Sequence, residues 1–182
     1  NPKIHKRYID ENDKINCDLI ILRHTLEHIQ RPHIFLKLLR KVFKESYIYI
    51  EVPEMNWIIE NSAFYDITYE HVNYFNKESL TNLFDNKYKK WSKVFENQYQ
   101  FIITQLSDLS NNFEIEYNSK NWENLIFTDQ FPELKKTINL INDNLGSKGK
   151  LYIWGSATKG AMFLIHCKSN KDLFSKIGFA ID

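Results

Sequence analysis

The chain has 182 residues, 43% of them apolar and 15% aromatic, enough to build a packed core and unlike a disordered composition. Lys plus Arg number 24 against 23 Asp plus Glu, for a formal net charge of +1, which leaves no electrostatic footprint for nucleic acid or an anionic membrane surface. Cys17 and Cys167 lie far apart in apolar contexts, which argues against a disulfide framework and fits a reducing compartment. No apolar run approaches the roughly 18 residues of a membrane-spanning helix. The opening N-P-K-I-H-K-R-Y carries no signal-peptide apolar region, so a cytoplasmic location is expected.

In chain order, residues 17–23 read as a parallel-type strand buried on both faces, with Leu19, Ile20, Ile21 and Leu22 as its apolar run. Pro32 opens an amphipathic helix, and Ile34, Phe35, Leu38, Leu39 and Val42 keep one apolar face. Tyr47 to Val52 is a second β-type run, ended by Pro53. Strand, helix, strand in this span is a βαβ unit. Residues 54–76 have no clean period but many aromatics. Asn76 caps a predicted helix from Lys77 to Phe84. Lys89 to Phe95 and Tyr99 to Leu106 read as a hairpin turning at Asn97.

From Ser107 to Asp129 the sequence turns polar and Asn-rich, as a linker or crossover helix would. Pro132 starts another helix, with Leu134, Ile138, Ile141 and Leu145 on one face and Gly146 at its end. Lys150 to Trp154 is a strand, G-S-A-T-K-G a loop, Ala161 to Lys168 a helix and Ile177 to Ile181 a strand. The expected fold class is α/β. A Rossmann-like mixed sheet ends in an antiparallel hairpin and is followed by part of a second Rossmann-like α/β domain. The expected divisions are 1–106, a linker over 107–131, and 132–182. Neither sheet reads as complete, so the sequence reads as part of a longer protein.

Three constellations carry chemistry. The first is Arg23, His24, Glu27 and His28, directly after the first strand. The carboxyl ends of parallel strands are where open α/β sheets bind ligands. The same letters spell H-x-x-E-H, which on a helix would set two imidazoles on one face with a Glu base, as in a zinc peptidase. A plain capped turn is the structural alternative. The second is Tyr69-Glu70-His71, with Tyr74 nearby, in an aromatic loop. Imidazole takes a proton near neutral pH, and a neighbouring acid can orient it; a packed, satisfied histidine is the plainer reading. The third is Gly155 to Gly160, where Ser156, Thr158 and Lys159 precede a helix whose amino terminus attracts phosphate. The spacing of a P-loop is absent, and a simple tight turn also explains it.

Taken together, R-H-T-L-E-H-I-x-R-P, I-E-V-P, D-x-x-Y-E-H-x-N-Y-F, Q-Y and G-S-A-T-K-G resemble one family. It is the class I S-adenosylmethionine-dependent sugar C-methyltransferases, which act on nucleotide-linked keto-deoxysugars. The resemblance covers most of residues 17–182 and implies the second half of a methyltransferase sheet followed by the start of the family's last domain. The family's cysteine cluster, glycine-rich first turn and ribose-holding acid have no counterpart in this sequence. By resemblance, Arg23 and His24 line the methionine end of the cofactor, S-adenosylmethionine. Tyr69, Glu70 and His71 match the family's active-site triplet, with His71 as the base that removes the proton beside the ketone. Tyr74, Ser156, Thr158 and Lys159 are then expected on the nucleotide-sugar substrate. No metal, nucleic acid or membrane partner is expected, and the sequence leaves the oligomeric state open. A sugar or glycan O-methyltransferase, a zinc peptidase and a non-catalytic binding module are the competing functions.

Overall fold

A computed structural model describes residues 4–85, 89–111 and 131–181. Compactness divides the chain into two units. One is Asn1–Glu54 with Val72–Ile115, and the other is Met55–His71 with Glu116–Asp182. The segment Met55–His71 therefore groups with the carboxyl-terminal part, whereas the sequence reading keeps 1–106 together. Most of the expected 107–131 linker lies outside the described residues.

The first unit is built on a four-stranded mixed sheet. Its strands are β1 (Leu19–Arg23), β2 (Tyr47–Pro53), β3 (Lys90–Val94) and β4 (Tyr99–Gln105), in the order β1-β2-β4-β3. β1 and β2 are parallel, with Leu22 opposite Ile50 and Arg23 opposite Glu51. β4 runs antiparallel to both β2 and β3. The parallel pair is joined by helix α1 (Pro32–Phe43), as the βαβ reading requires. Pro32 sits in the first turn, where its missing N–H costs nothing. At the other end Lys44 adopts φ 52° and donates its N–H to the Arg40 carbonyl.

One face of this sheet makes the core. Ile48, Ile50, Val52 and Ile102 pack with Leu36 and Leu39 of α1 and with Leu80, Leu83, Phe84, Leu106 and Leu109. Leu80 belongs to α3 (Lys77–Thr81), a shorter helix than predicted. Its capping box is complete: Asn76 Oδ1 accepts from the Ser79 N–H, and Ser79 Oγ accepts from the Asn76 N–H. The hairpin turns through Phe95, Glu96 and Asn97, all at positive φ.

β1 departs from expectation. It is an edge strand, and Leu19 and Ile21 are 44% and 62% exposed. A strand is buried on both faces only where layers cover both. Here α1 covers one face, so alternate residues of the apolar run point away from the core.

In the second unit, α4 (Pro132–Leu145) buries Leu134 and Ile138, and β5 (Leu151–Trp154) pairs in parallel with β6 (Ile177–Ile181). Between them lie α5 (Thr158–Cys167) and α6 (Lys171–Ser175). α5 begins at Thr158 rather than Ala161, which puts Thr158 and Lys159 in its first turn and not in the loop. The aperiodic stretch after β2 contributes α2 (Met55–Glu60) and a 3-10 turn, Phe64–Asp66. No helix among the described residues is long and apolar enough to cross a membrane.

Candidate functional site

The chain leaves β1 through a tightly held turn. The His24 N–H donates to the Glu51 carbonyl, extending the parallel ladder by one residue. His24 then adopts φ 49°, and a single 3-10 turn, Leu26–His28, follows. Leu26 is fully buried and anchors the turn in the core. From the other side, the Val72 and Asn73 N–H groups both donate to the Glu27 carbonyl, and Asn73 Nδ2 donates to the Ile29 carbonyl across 2.6 Å. No α-helix runs through residues 23–28. The peptidase form of H-x-x-E-H needs both imidazoles on one α-helical face, so that alternative is corrected: the positive φ at His24 breaks the periodicity it requires.

This turn gathers an ionic network at the carboxyl ends of β1 and β2. Arg23 Nε donates to Glu51 Oε1 at 2.7 Å, and Tyr49 Oη donates to Glu51 Oε2 at 2.6 Å. His24 Nε2 lies 3.3 Å from Glu51 Oε1, while its Nδ1 lies 3.6 Å from Glu27 Oε1. His28 Nε2 lies 4.0 Å from the same Glu27 oxygen. The Tyr99 ring stands edge-on to His24 at 4.7 Å, and the Arg23 guanidinium sits over the Phe95 ring at 5.5 Å. Glu51 and Glu27 are buried, at 3% and 1% exposure.

Burial pushes the Glu51 carboxyl up, but the hydrogen bonds from Arg23 and Tyr49 and the Arg23 charge outweigh it, and the group lies below its ordinary range. Burial first, and then the bond to Glu51, raise the Tyr49 phenol to about 12. Arg23 is raised further by its hydrogen bond to Glu51. Glu51 and Tyr49 were not singled out from the sequence. The signal was there: Tyr47, Tyr49 and Glu51 alternate along β2 and so share a face. Tyr74 is half-buried in the same unit, between Asn73, which holds the turn, and Phe75, which bridges to Glu54 at the end of β2.

Tyr69, Glu70 and His71 belong to the second unit. His71 Nδ1 lies 3.0 Å from the Asp66 carbonyl oxygen, and the His71 N–H donates to the Thr68 carbonyl. Tyr69 is 87% exposed, and its hydroxyl donates to Glu70 Oε1 across 3.2 Å. The same unit holds the 155–160 turn. Gly155 adopts φ 83°, and a Cβ on Gly160 would stand 1.9 Å from the Gly155 carbonyl oxygen, so both positions need glycine. Lys159 Nζ lies 4.2 Å from the centre of the Tyr65 ring, a cation–π contact that tethers the helix start to the 3-10 turn. Ser156 is half-buried and Thr158 exposed.

Residues 3–87 match a family model described as a methyltransferase domain. The match spans the βαβ unit and its polar turn, and with the mixed sheet it supports a class I methyltransferase of Rossmann-like fold. No curated protein matches the chain.

Proposed function

We propose that this protein is an S-adenosylmethionine-dependent methyltransferase acting on a nucleotide-linked keto-deoxysugar, by methylation at carbon with His71 as base. The observation that carries the reading is the 3.0 Å contact between His71 Nδ1 and the Asp66 carbonyl oxygen. A carbonyl oxygen only accepts hydrogen bonds, so the 3.0 Å contact to Asp66 keeps the proton on Nδ1. In that tautomer Nε2 is the nitrogen that can accept a proton, as a general base must.

In this reading Nε2 takes the proton from the carbon beside the ketone, and the electron pair passes to the ketone oxygen as an enolate. Tyr69, linked to Glu70, orients the sugar. Ser156, Thr158 and Lys159, at the amino-terminal turn of α5, take the nucleotide phosphates, where N–H groups and the lysine favour an anion. Tyr74 contacts the sugar. A cytoplasmic setting fits such a substrate.

The donor set after β1 fits the amino-acid end of the cofactor. Arg23 is held by Glu51 and Phe95, yet its side chain stays 55% exposed, which suits a carboxylate. His24 lies beside it. The first glycine of the chain is Gly146, so no glycine-rich turn for the nucleoside end is assigned to the matched stretch. When bound, S-adenosylmethionine supplies a methyl group already activated on a sulfonium, and the protein supplies position and the base.

The test is His71→Asn and His71→Ala in the full protein. Turnover should fall by roughly 10²–10⁴-fold while cofactor affinity stays near that of the parent. Unchanged turnover overturns the base assignment. A substrate deuterated beside the ketone should lose its label; retention with continued methylation would instead assign transfer to oxygen.

A further inference from the structure

We propose that Glu51, backed by Tyr49, is a positioning residue that holds Arg23 by one nitrogen and leaves its two terminal nitrogens as a preset fork for the carboxylate of the cofactor. The ligand in this inference rests on the methyl-transfer reading above; the fork itself rests on geometry. All the residues involved belong to the first unit.

The Arg23 guanidinium makes a single hydrogen bond among the described residues, from Nε to Glu51 Oε1 at 2.7 Å. Neither Nη1 nor Nη2 is engaged there. Arg7 shows the contrast: its Nη1 and Nη2 both donate to the Asp13 carboxylate, at 2.8 and 2.6 Å, so its fork is spent inside the chain. Glu51 does not close such a fork on Arg23, because its second oxygen accepts from the Tyr49 hydroxyl at 2.6 Å. Two parallel N–H donors match a carboxylate, and that pairing is stronger and more directional than a point charge.

The fork is also fixed in place. Glu51 is 3% exposed, and the Tyr49 ring that steadies it stacks on Phe101 at 5.1 Å. Phe95 lies over the guanidinium at 5.5 Å and stands edge-on to Tyr99 at 5.7 Å. One nitrogen is thus tied and one face covered, while the side chain stays 55% exposed. An arginine held beforehand loses little rotamer freedom when an anion arrives.

Two effects of Glu51 on a bound carboxylate oppose each other. Its negative charge weakens the pull of the guanidinium on a second anion. Its hydrogen bond keeps the guanidinium in one place. Removing the charge alone tightens carboxylate binding, and losing the anchor loosens it, so the direction of the change reports which role Glu51 has.

The test is calorimetric titration of the full protein with two probes. S-adenosylhomocysteine carries the amino-acid end, and methylthioadenosine has the same nucleoside without it. Glu51→Gln should weaken S-adenosylhomocysteine binding by about 3–10-fold and leave methylthioadenosine binding unchanged. Arg23→Met should weaken it by about 10–100-fold, and adding Glu51→Gln to that variant should cost nothing more, since Glu51 acts through Arg23. Tyr47→Phe, on the same face of β2, should change neither probe. Circular dichroism checks each fold, and Tyr49→Phe, with a smaller loss in the same direction, serves if Glu51→Gln does not fold. Unchanged or tighter binding in both Glu51→Gln and Tyr49→Phe, or an equal loss for both probes, overturns the positioning role. Binding of S-adenosylhomocysteine that is indifferent to Arg23→Met, or absent from the parent, overturns instead the ligand assignment on which the proposal rests.

Discussion

Arg23, the last residue of β1, and Glu51, its register partner in β2, meet through a 2.7 Å bond from Nε to Oε1. The carboxylate is buried and the guanidinium is half in solvent, so the pair turns a buried negative charge outward as a fixed cation. Tyr49 holds the second carboxylate oxygen. Tyr49→Phe deletes that bond but keeps the ring stacked on Phe101 at 5.1 Å. A hydrogen bond to a charged acceptor is worth about 1.5–3 kcal/mol at most, so urea unfolding should show a loss of about 1–2 kcal/mol. Arg23→Met should weaken S-adenosylmethionine binding in calorimetry and also lower the unfolding midpoint, because it leaves the buried Glu51 carboxylate without its cation.

The 155–160 turn leaves no room for a methyl group at Gly160, where a Cβ would collide with the Gly155 carbonyl. Gly160→Ala should destabilise the protein by about 1–3 kcal/mol, the usual cost of overpacking. Gly149→Ala is a poor control, because its Cβ would meet the Leu145 carbonyl at 2.2 Å. Gly146→Ala meets nothing within 4 Å but would hold Ala at φ 62° and ψ −172°, a backbone region essentially open only to glycine; a cost of about 1–3 kcal/mol is expected. Denaturant midpoints should fall for both variants.

His166 of α5 is buried, with its ring edge-on to Phe64 at 5.5 Å. Burial lowers its pKa below the usual 6.5. The unfolded chain therefore takes up a proton before the folded one does. The stabilisation from the neutral ring is fully present above about pH 6.5 and is lost as pH falls through the depressed folded value. His166→Phe should flatten the fall in melting temperature between about pH 7 and pH 5 relative to the parent. An identical pH slope in both proteins would refute this.

The two thiols should differ sharply in reactivity. Cys167 is fully buried, and burial pushes its thiol up to about 11. At pH 8 only about one molecule in a thousand then carries the thiolate. Cys17 is part-exposed, with its sulfur 3.7 Å from Ser46 Oγ. Aromatic disulfide reagents should label Cys17 in the native protein and Cys167 only after denaturation. A Cys17→Ser variant should show no rapid phase.

Much of the first unit was legible because its signals are local. Pro32 at the start of α1, the Asn76 cap and the alternation of β4 each depend on neighbours within a few residues, whereas the face read for α1 is only partly the buried one: Ile34 is 56% exposed, and Leu36 and His33 are buried beside Leu39 and Val42. The short helices α2 and α6 were missed because one or two turns cannot establish a period. The exposed half of β1 was missed for a different reason: an apolar run does not record whether a second layer lies over it. At the site, Arg23 and His24 stood out by following a strand, whereas Glu51 hid inside one.

The order of elements, the place of the polar turn after β1 and the glycine-bound turn before α5 were set by the sequence alone, since periodicity, caps and backbone sterics act over a few residues. Which charges face one another was decided only by tertiary structure. Arg23 and Glu51 are 28 residues apart and meet because parallel pairing brings two strand ends together. The same pairing sets His24 between two buried carboxylates. Whether a buried carboxylate finds a donor depends on every group packed around it, and no stretch of sequence specifies that.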